Sequence, residues 1–169
     1  MQDQPWTKSG FQQPSKALNN GEFRDGRIGL VVAHWNREIT LELEKGCRSV
    51  LLELGFREDQ IFTLEVPGCF EIPVAASWFC AQNPHQVQAV IALGCLIQGE
   101  TPHFDLIAQS VNRGLMDLSL REGVPMINGV LTVLNTQQAH DRLGGQHGHK
   151  GKEAAYTAYQ MLSLKARLS

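Results

Sequence analysis

The stretch Val90–Asp105, VIALGCLIQGETPHFD, joins a strand signal directly to a helix signal. Its first half is an uninterrupted apolar run, which is typical of a strand buried on both faces of a parallel sheet. Thr101 then offers a helix cap and Pro102 suits a first helical position. Apolar residues recur every three or four positions as far as Leu118, and Gly123 provides a stop. The stretch therefore predicts one strand-to-helix unit of a parallel α/β sheet.

The same alternation of short apolar runs and longer amphipathic stretches continues on both sides of this unit. We predict strands at Arg27–Ala33, Ile61–Val66, Val87–Gly94 and Met126–Leu131. We predict helices over about Thr40–Leu54, after the segment PGCFEIP at 67–73, over 101–123, near Thr136–Leu143, and from about Gly151. Strands that alternate with helices indicate βαβ units with right-handed crossovers. The expected fold is α/β, a three-layer sandwich with a four-stranded parallel sheet flanked by helices.

Length and composition favour one domain preceded by an arm. The 169 residues suffice for one well-buried core. Residues 1–26 are rich in Gln, Asn, Ser, Gly and Pro and lack an amphipathic period, so we expect a loosely ordered arm that could order against a neighbouring subunit. Residues 27–169 form the predicted α/β domain.

Charge and hydropathy exclude two classes of partner. The 15 basic and 17 acidic residues nearly balance and form no basic stripe, which argues against a nucleic acid partner. The longest apolar runs are too short to span a bilayer, and the first residues carry no signal pattern. We therefore expect a cytoplasmic protein with no membrane contact.

The cysteines and histidines do not predict a metal site. Cys47, Cys69, Cys80 and Cys95 are scattered without a C-x-x-C pair and are expected to be small buried hydrophobes. The three histidines at 140, 147 and 149 lie around a glycine-rich bend that has no cysteine or fixed helical pair to complete a coordination shell. The expectation is no metal.

Polar and aromatic residues follow the predicted strands. The loops in question are HWNREI at 34–39, VPGCFEIP at 66–73, GCLIQGETPHFD at 94–105 and NGVLTVLN at 128–135. In open parallel sheets the ligand binds beyond the carboxyl ends of the strands, so these loops are the candidate site.

These loops, together with DRLGG at 141–145 and HKG at 149–151, resemble in order the substrate-binding segments of the 6,7-dimethyl-8-ribityllumazine synthase family. The resemblance extends from Arg27 to about Leu164. It implies a flavodoxin-like fold and the condensation of 5-amino-6-(D-ribitylamino)uracil with 3,4-dihydroxy-2-butanone 4-phosphate, which releases phosphate and water. No cofactor is implied, because placing two reactants and relaying protons supplies much of the acceleration.

The phosphate is expected at the start of the helix that follows the GET turn. Gly99, Glu100 and Thr101 precede backbone N–H groups that have no acceptor within the helix, and such groups bind anions. By resemblance Arg142 is a second phosphate clamp, since a guanidinium matches phosphate oxygens. The alternatives are a capped helix without a ligand and a solvated arginine at a helix end.

His103 is the residue that the resemblance assigns to proton transfer. It lies at the start of the same helix, where the positive end of the helix dipole favours a neutral imidazole. A single histidine in this position is otherwise a surface or capping residue.

The heterocycle is expected to contact aromatic and polar residues from the remaining loops. By resemblance Trp35 stacks on the ring, Phe70 contacts the pyrimidine, Glu71 accepts from the ribityl hydroxyls, and Lys150 reaches the pyrimidine oxygens. By themselves Trp35 favours core or interface and Glu71 complements a helix start. The further substrate-binding residues that the resemblance implies are Asn36, Gly68, Cys69, Ile72, Cys95, Leu96 and Ile97.

Two positions depart from the family pattern. Asn128 stands where the family usually presents a phenylalanine from the adjacent subunit, and Gln98 replaces a common basic residue. Asparagine stacks less well, so the site could lean on Trp35 or accept a related flavin-like ligand.

The family resemblance also implies assembly into pentamers with the site between neighbouring subunits, and the short GGQHGHKG bend favours a shell of sixty. Asn128, Arg142 and Lys150 would then come from the next chain. Two other functions remain open: a non-catalytic flavin or lumazine binder or shell protein, and a phosphosugar-binding protein with a similar GET turn.

Overall fold

The computed structural model describes residues 26–81 and 87–168, in which strands and helices alternate as far as β4. The elements are β1 Ile28–Ala33, α1 Arg37–Glu53, β2 Ile61–Val66, α2 Ile72–Ala81, β3 Ala89–Ile97, α3 His103–Glu122, β4 Met126–Val133, α4 Thr136–His140, β5 Leu143–Gly145, β6 Gly148–His149 and α5 Lys150–Ala166. Short 3₁₀ turns at Glu58–Gln60 and Cys69–Glu71 precede β2 and α2.

The strands β1 to β4 form one parallel sheet in the order β2-β1-β3-β4. Ile28 of β1 lies opposite Ile61 of β2 and Ala89 of β3, and Val90 lies opposite Met126 of β4. The predicted α/β fold with a four-stranded parallel sheet is confirmed.

Apolar side chains fill both faces of this sheet. Every residue of β1 is buried, as an apolar run without alternation predicts for a central strand. On one face the core includes residues of α1 and α5, and on the other it includes residues of α2 and α3. The three layers therefore consist of helices, sheet and helices.

The boundaries of several elements differ from the sequence prediction, and α1 and β3 show the reason. Helix α1 begins three residues early, because Asn36 takes a left-handed conformation and its carbonyl accepts from the N–H groups of Ile39 and Thr40. Strand β3 continues past Gly94 to Ile97, because its last residues pair with the end of β4, which itself extends to Val133. Neighbouring-strand pairing, which local sequence does not encode, sets these ends.

The glycine-rich segment after α4 is a small antiparallel hairpin and not only a bend. Leu143 pairs with His149, and Gly145 pairs with Gly148. Gly144 and Gly148 have φ values of 104° and 78°, which a side chain would strain. Consequently α4 ends at His140 and not near Leu143, and α5 begins at Lys150.

The predicted arm, residues 1–26, lies outside the described residues except for Gly26. The carbonyl of Gly26 accepts a 2.6 Å hydrogen bond from the side chain of buried Gln60. Within the described residues, no helix combines the length and the apolar character that crossing a membrane requires.

Helices α1 and α5 pack at two glycines. A Cβ at Gly151 would lie 2.0 Å from the carbonyl oxygen of Leu43, and a Cβ at Gly46 would lie 2.2 Å from the His149 ring. The contact at Gly151 is with backbone, which cannot rotate away as a side chain can. The absence of a side chain at Gly151 therefore fixes how closely the two helices approach.

Gly151→Ala is expected to destabilise the fold by about 1–3 kcal/mol, the usual cost of overpacking. The cost arises because the added methyl group forces α5 away from Leu43. Urea unfolding measures the change, and Gly99→Ala is the matched control, since a Cβ at Gly99 meets nothing within 4 Å. Equal free energies of unfolding for the two variants would contradict the packing constraint.

Candidate active site

A cavity of about 800 Å³ lies where the carboxyl ends of β1, β2 and β3 meet the start of α3. Its volume is that of a typical small-molecule site. The lining residues are Trp35, Asn36, Pro67, Gly68, Cys69, Phe70, Glu71, Cys95, Leu96, Ile97, Gly99, Thr101, His103, Phe104 and Ile107.

The loop after β1 places an exposed indole at this cavity. Trp35 is 72% exposed, and its backbone N–H donates to the carbonyl of Pro67 at 3.1 Å. Asn36 has φ 60° and ψ 45°, a left-handed conformation that asparagine tolerates better than most residues. Its Nδ2 donates to the carbonyl of Cys95 at 3.0 Å. These two bonds tie the loop after β1 to the ends of β2 and β3.

The 3₁₀ turn after β2 supplies an aromatic ring and a carboxylate. Phe70 is 57% exposed at the cavity. The Oε2 atom of Glu71 accepts from the backbone N–H of Gly68 at 3.0 Å, which orients the carboxylate. Glu71 therefore stabilises its own turn and presents its second carboxylate oxygen as an acceptor.

Two thiols contribute to the wall as neutral groups. Burial raises the pKa of Cys69 to about 11 and that of Cys95 to about 12. A thiol with so high a pKa carries almost no thiolate near neutral pH, and the thiolate is the nucleophilic form. Covalent catalysis by either cysteine is thus disfavoured.

The start of α3 is open toward the cavity. The helix begins at His103, its N-cap position is Pro102, and no side chain makes a capping hydrogen bond there, so the predicted Thr101 cap is wrong. The first N–H groups of a helix have no acceptor within it, and with the helix dipole they favour a bound anion. Gly99, Thr101 and His103 all line this end of the cavity.

Apolar side chains form the rest of the lining. Leu96 and Ile97 come from the end of β3, and Phe104 and Ile107 come from the first turns of α3. Pro67 and Phe104 belong to the candidate loops but had no predicted ligand contact, and Ile107 lies outside those loops. The periodicity of α3 marks Phe104 and Ile107 as apolar, but it does not distinguish a core contact from a cavity wall.

Five predicted substrate-binding residues do not line this cavity. Ile72 is fully buried in the core, and Glu100 is exposed beside the cavity loop. The other three, Asn128, Arg142 and Lys150, lie on β4, on the turn before β5 and at the start of α5. The structure of one chain does not bring them to its own cavity.

Asn128 is exposed on β4 with its side-chain amide engaged at both ends. Its Nδ2 donates to Oδ1 of Asn112, and its Oδ1 accepts from the N–H of Val130 at 2.9 Å. The position therefore presents a fixed polar group and no aromatic face.

A parallel sheet with an apolar, polar-rimmed cavity at its carboxyl edge defines a flavodoxin-like α/β protein that binds small molecules. Residues 25–166 match the family model of 6,7-dimethyl-8-ribityllumazine synthase. The chain belongs to this family.

Bacterial proteins of that name are similar over most of the chain. The relative from Porphyromonas gingivalis is 48% identical over 142 residues, which cover 84% of this chain and 87% of the relative. The relative from Cytophaga hutchinsonii is 49% identical over 136 residues, with coverage of 80% and 84%. The relative from Xanthomonas oryzae pv. oryzae is 42% identical over 138 residues, with coverage of 82% and 88%.

Asn36→Ala is expected to destabilise the chain more than Asn36→Gly. Both variants lose the hydrogen bond to Cys95, but only alanine adds the cost of a left-handed backbone, about 1–2 kcal/mol. Free energies of unfolding in urea measure the difference. If alanine proves as stable as glycine, the backbone of residue 36 is not held in the left-handed region.

Proposed function

We propose that the chain condenses 5-amino-6-(D-ribitylamino)uracil with 3,4-dihydroxy-2-butanone 4-phosphate to form 6,7-dimethyl-8-ribityllumazine, phosphate and water. Membership of the family supports the reaction. The observation that carries the site assignment is the cavity, in which exposed aromatic rings, a carboxylate and His103 surround the open start of α3.

The pyrimidine is placed by the loops after β1 and β2. Trp35 and Phe70 offer exposed ring faces for stacking on the heterocycle. Glu71, already oriented by Gly68, accepts hydrogen bonds from the ribityl hydroxyls. In this proposal Asn36 acts through its backbone and through the loop that it holds, because its Nδ2 is committed to Cys95.

The phosphate binds at the start of α3. Gly99 and Thr101 line the cavity directly before the helix. The first backbone N–H groups of the helix donate hydrogen bonds to the phosphate oxygens. Glu100 is exposed, so its carboxylate points to water while its backbone contributes to the turn. Arg142 supplies a second clamp from a neighbouring subunit.

His103 relays protons between the reacting groups. Imine formation, loss of phosphate, ring closure and loss of water each require a proton to be moved, and a neutral imidazole can accept one and return it. The acceleration also depends on holding the two reactants together, which needs no cofactor.

The complete site requires more than one chain. We propose pentamers in which Asn128, Arg142 and Lys150 of one subunit reach the cavity of the next, and assembly of pentamers into a shell of sixty.

Exposed apolar side chains on α2 and α3 support self-association. Four of them are more than half exposed: Trp78, Leu106, Met116 and Leu120. Residues 1–26 are proposed as an arm that adds to a neighbour. Sedimentation velocity distinguishes monomer, pentamer and shell.

A non-catalytic flavin or lumazine binder is the second candidate function. Asn128 favours it, because the amide held by Asn112 replaces one stacking surface. Quenching of riboflavin fluorescence without turnover would support this function in place of synthesis.

The direct test mixes purified protein with both substrates. Catalysis should produce the absorbing lumazine and free phosphate in equal amounts, faster than the spontaneous reaction. Folded protein that gives no rate above this background would refute the enzymatic proposal.

His103→Ala is expected to lower kcat on the order of 100-fold, the lower end of what a positioned proton-transfer group contributes. Activity should remain because the reactants are still held together. Steady-state kinetics measure the loss, and His140→Ala, an exposed histidine at the end of α4, serves as the control. Equal losses in both variants would remove His103 from the mechanism.

Asn128→Phe is expected to lower KM for the aminouracil several-fold, because an aromatic ring restores a stacking surface worth roughly 0.5–1.5 kcal/mol. Asn112→Ala is the control, since it breaks the same amide contact without adding a ring. If both variants change KM equally, the effect comes from releasing Asn128 and not from stacking.

A further inference from the structure

Glu153 pairs with one of the two basic residues assigned to ligand binding and lies one helical turn from the other. Its Oε2 atom is 2.7 Å from Nη2 of Arg142, and the two side chains are only 27% and 18% exposed. Glu153 also follows Lys150 by three residues in the first turn of α5, so both point from the same face of the helix. One carboxylate is therefore close to both cations.

The Arg142 guanidinium is held from two sides. Nη2 meets Glu153, and Nη1 donates to the backbone carbonyl of His147 in the hairpin. Gly148, with φ 78°, leaves room for this arrangement, since a Cβ there would lie 3.1 Å from Oε1 of Glu153. These contacts fix the direction of the planar fork, and they use two of the five N–H donors that a guanidinium carries.

The Glu153 carboxylate also acts electrostatically on Lys150. Burial lowers the pKa of Lys150, the Glu153 carboxylate opposes this shift by raising it, and the Arg142 guanidinium lowers it further. Without Glu153, both desolvation and repulsion from Arg142 would act against the positive charge of Lys150. The carboxylate thus reduces the cost of keeping both groups charged.

We propose that Glu153 is a positioning residue that orients Arg142 for phosphate and places a carboxylate one helical turn from Lys150, the residue assigned to the pyrimidine. The proposal rests on the proposed function, in which these two basic residues contact the substrates. A structural role alone, in which the ion pair only ties the hairpin to α5, would affect stability without affecting substrate binding.

The test compares Glu153→Ala and Glu153→Gln with wild type in steady-state assays at saturating aminouracil. The alanine variant is expected to raise KM for the butanone phosphate about tenfold and to change kcat less than about twofold, because a charge-assisted contact that orients the clamp is lost. Glutamine keeps an acceptor for Arg142 and should restore part of the affinity. Titration with inorganic phosphate should rank the affinities in the same order, with wild type tightest, Glu153→Gln intermediate and Glu153→Ala weakest.

Glu58→Gln is the matched control. Glu58 pairs with Arg48 at 2.6 Å, so this variant also removes a carboxylate from an ion pair with arginine. Arg48 lies on α1 and Glu58 lies on the 3₁₀ turn before β2. Its KM values should equal those of the wild type.

The pH dependence provides an independent measurement. Loss of the carboxylate lowers the pKa of Lys150, so the alkaline limb of kcat/KM for the aminouracil should move to lower pH in both Glu153 variants. The limb should not move in Glu58→Gln.

Three outcomes would overturn the role of Glu153. One is a lower melting temperature with unchanged KM and pH profile, which would indicate a structural pair. Another is a lower KM for the butanone phosphate in both variants, which would indicate that the carboxylate only screens positive charge. The third is an unshifted alkaline limb. Inactive wild-type protein would instead refute the proposed function, so the two failures are distinguishable.

Discussion

The common direction of β1, β2 and β3 determines where the cavity can form. Since these neighbouring strands are parallel, their carboxyl ends meet at one edge of the sheet, and each strand delivers its following loop there. The bond from Asn36 to Cys95 and the bond from Trp35 to Pro67 then fix those loops relative to one another. Reversing one strand would remove an entire wall of the cavity.

Two kinds of environment result from this architecture. The cavity of a single chain is largely apolar, with neutral thiols, aromatic rings and the open start of α3. The basic groups Arg142 and Lys150 lie elsewhere, on the turn before β5 and at the start of α5, and Glu153 pairs with Arg142 there. In the proposed function, a second subunit brings these two environments together, and catalysis then depends on assembly.

Particular residues show which elements local sequence predicted and which it did not. The apolar run of β1 and the helical period of α3 predicted the sheet and its flanking helices, because those signals depend only on neighbouring residues. The end of β3, the β5–β6 hairpin and the start of α1 were missed, because pairing between strands and the left-handed Asn36 set them. Phe104 and Ile107 were identified as apolar residues but not as cavity walls.

By itself the sequence determined the α/β class, the loops that carry the candidate site and the family that they resemble. Strand periods, turn residues and motif order are properties of the chain read in one dimension. Only the tertiary structure decided which members of those loops share a cavity, that the Asn128 amide is already engaged, and that Glu153 pairs with Arg142. These relations depend on distances between residues far apart in sequence or on side-chain direction, and no local pattern specifies either.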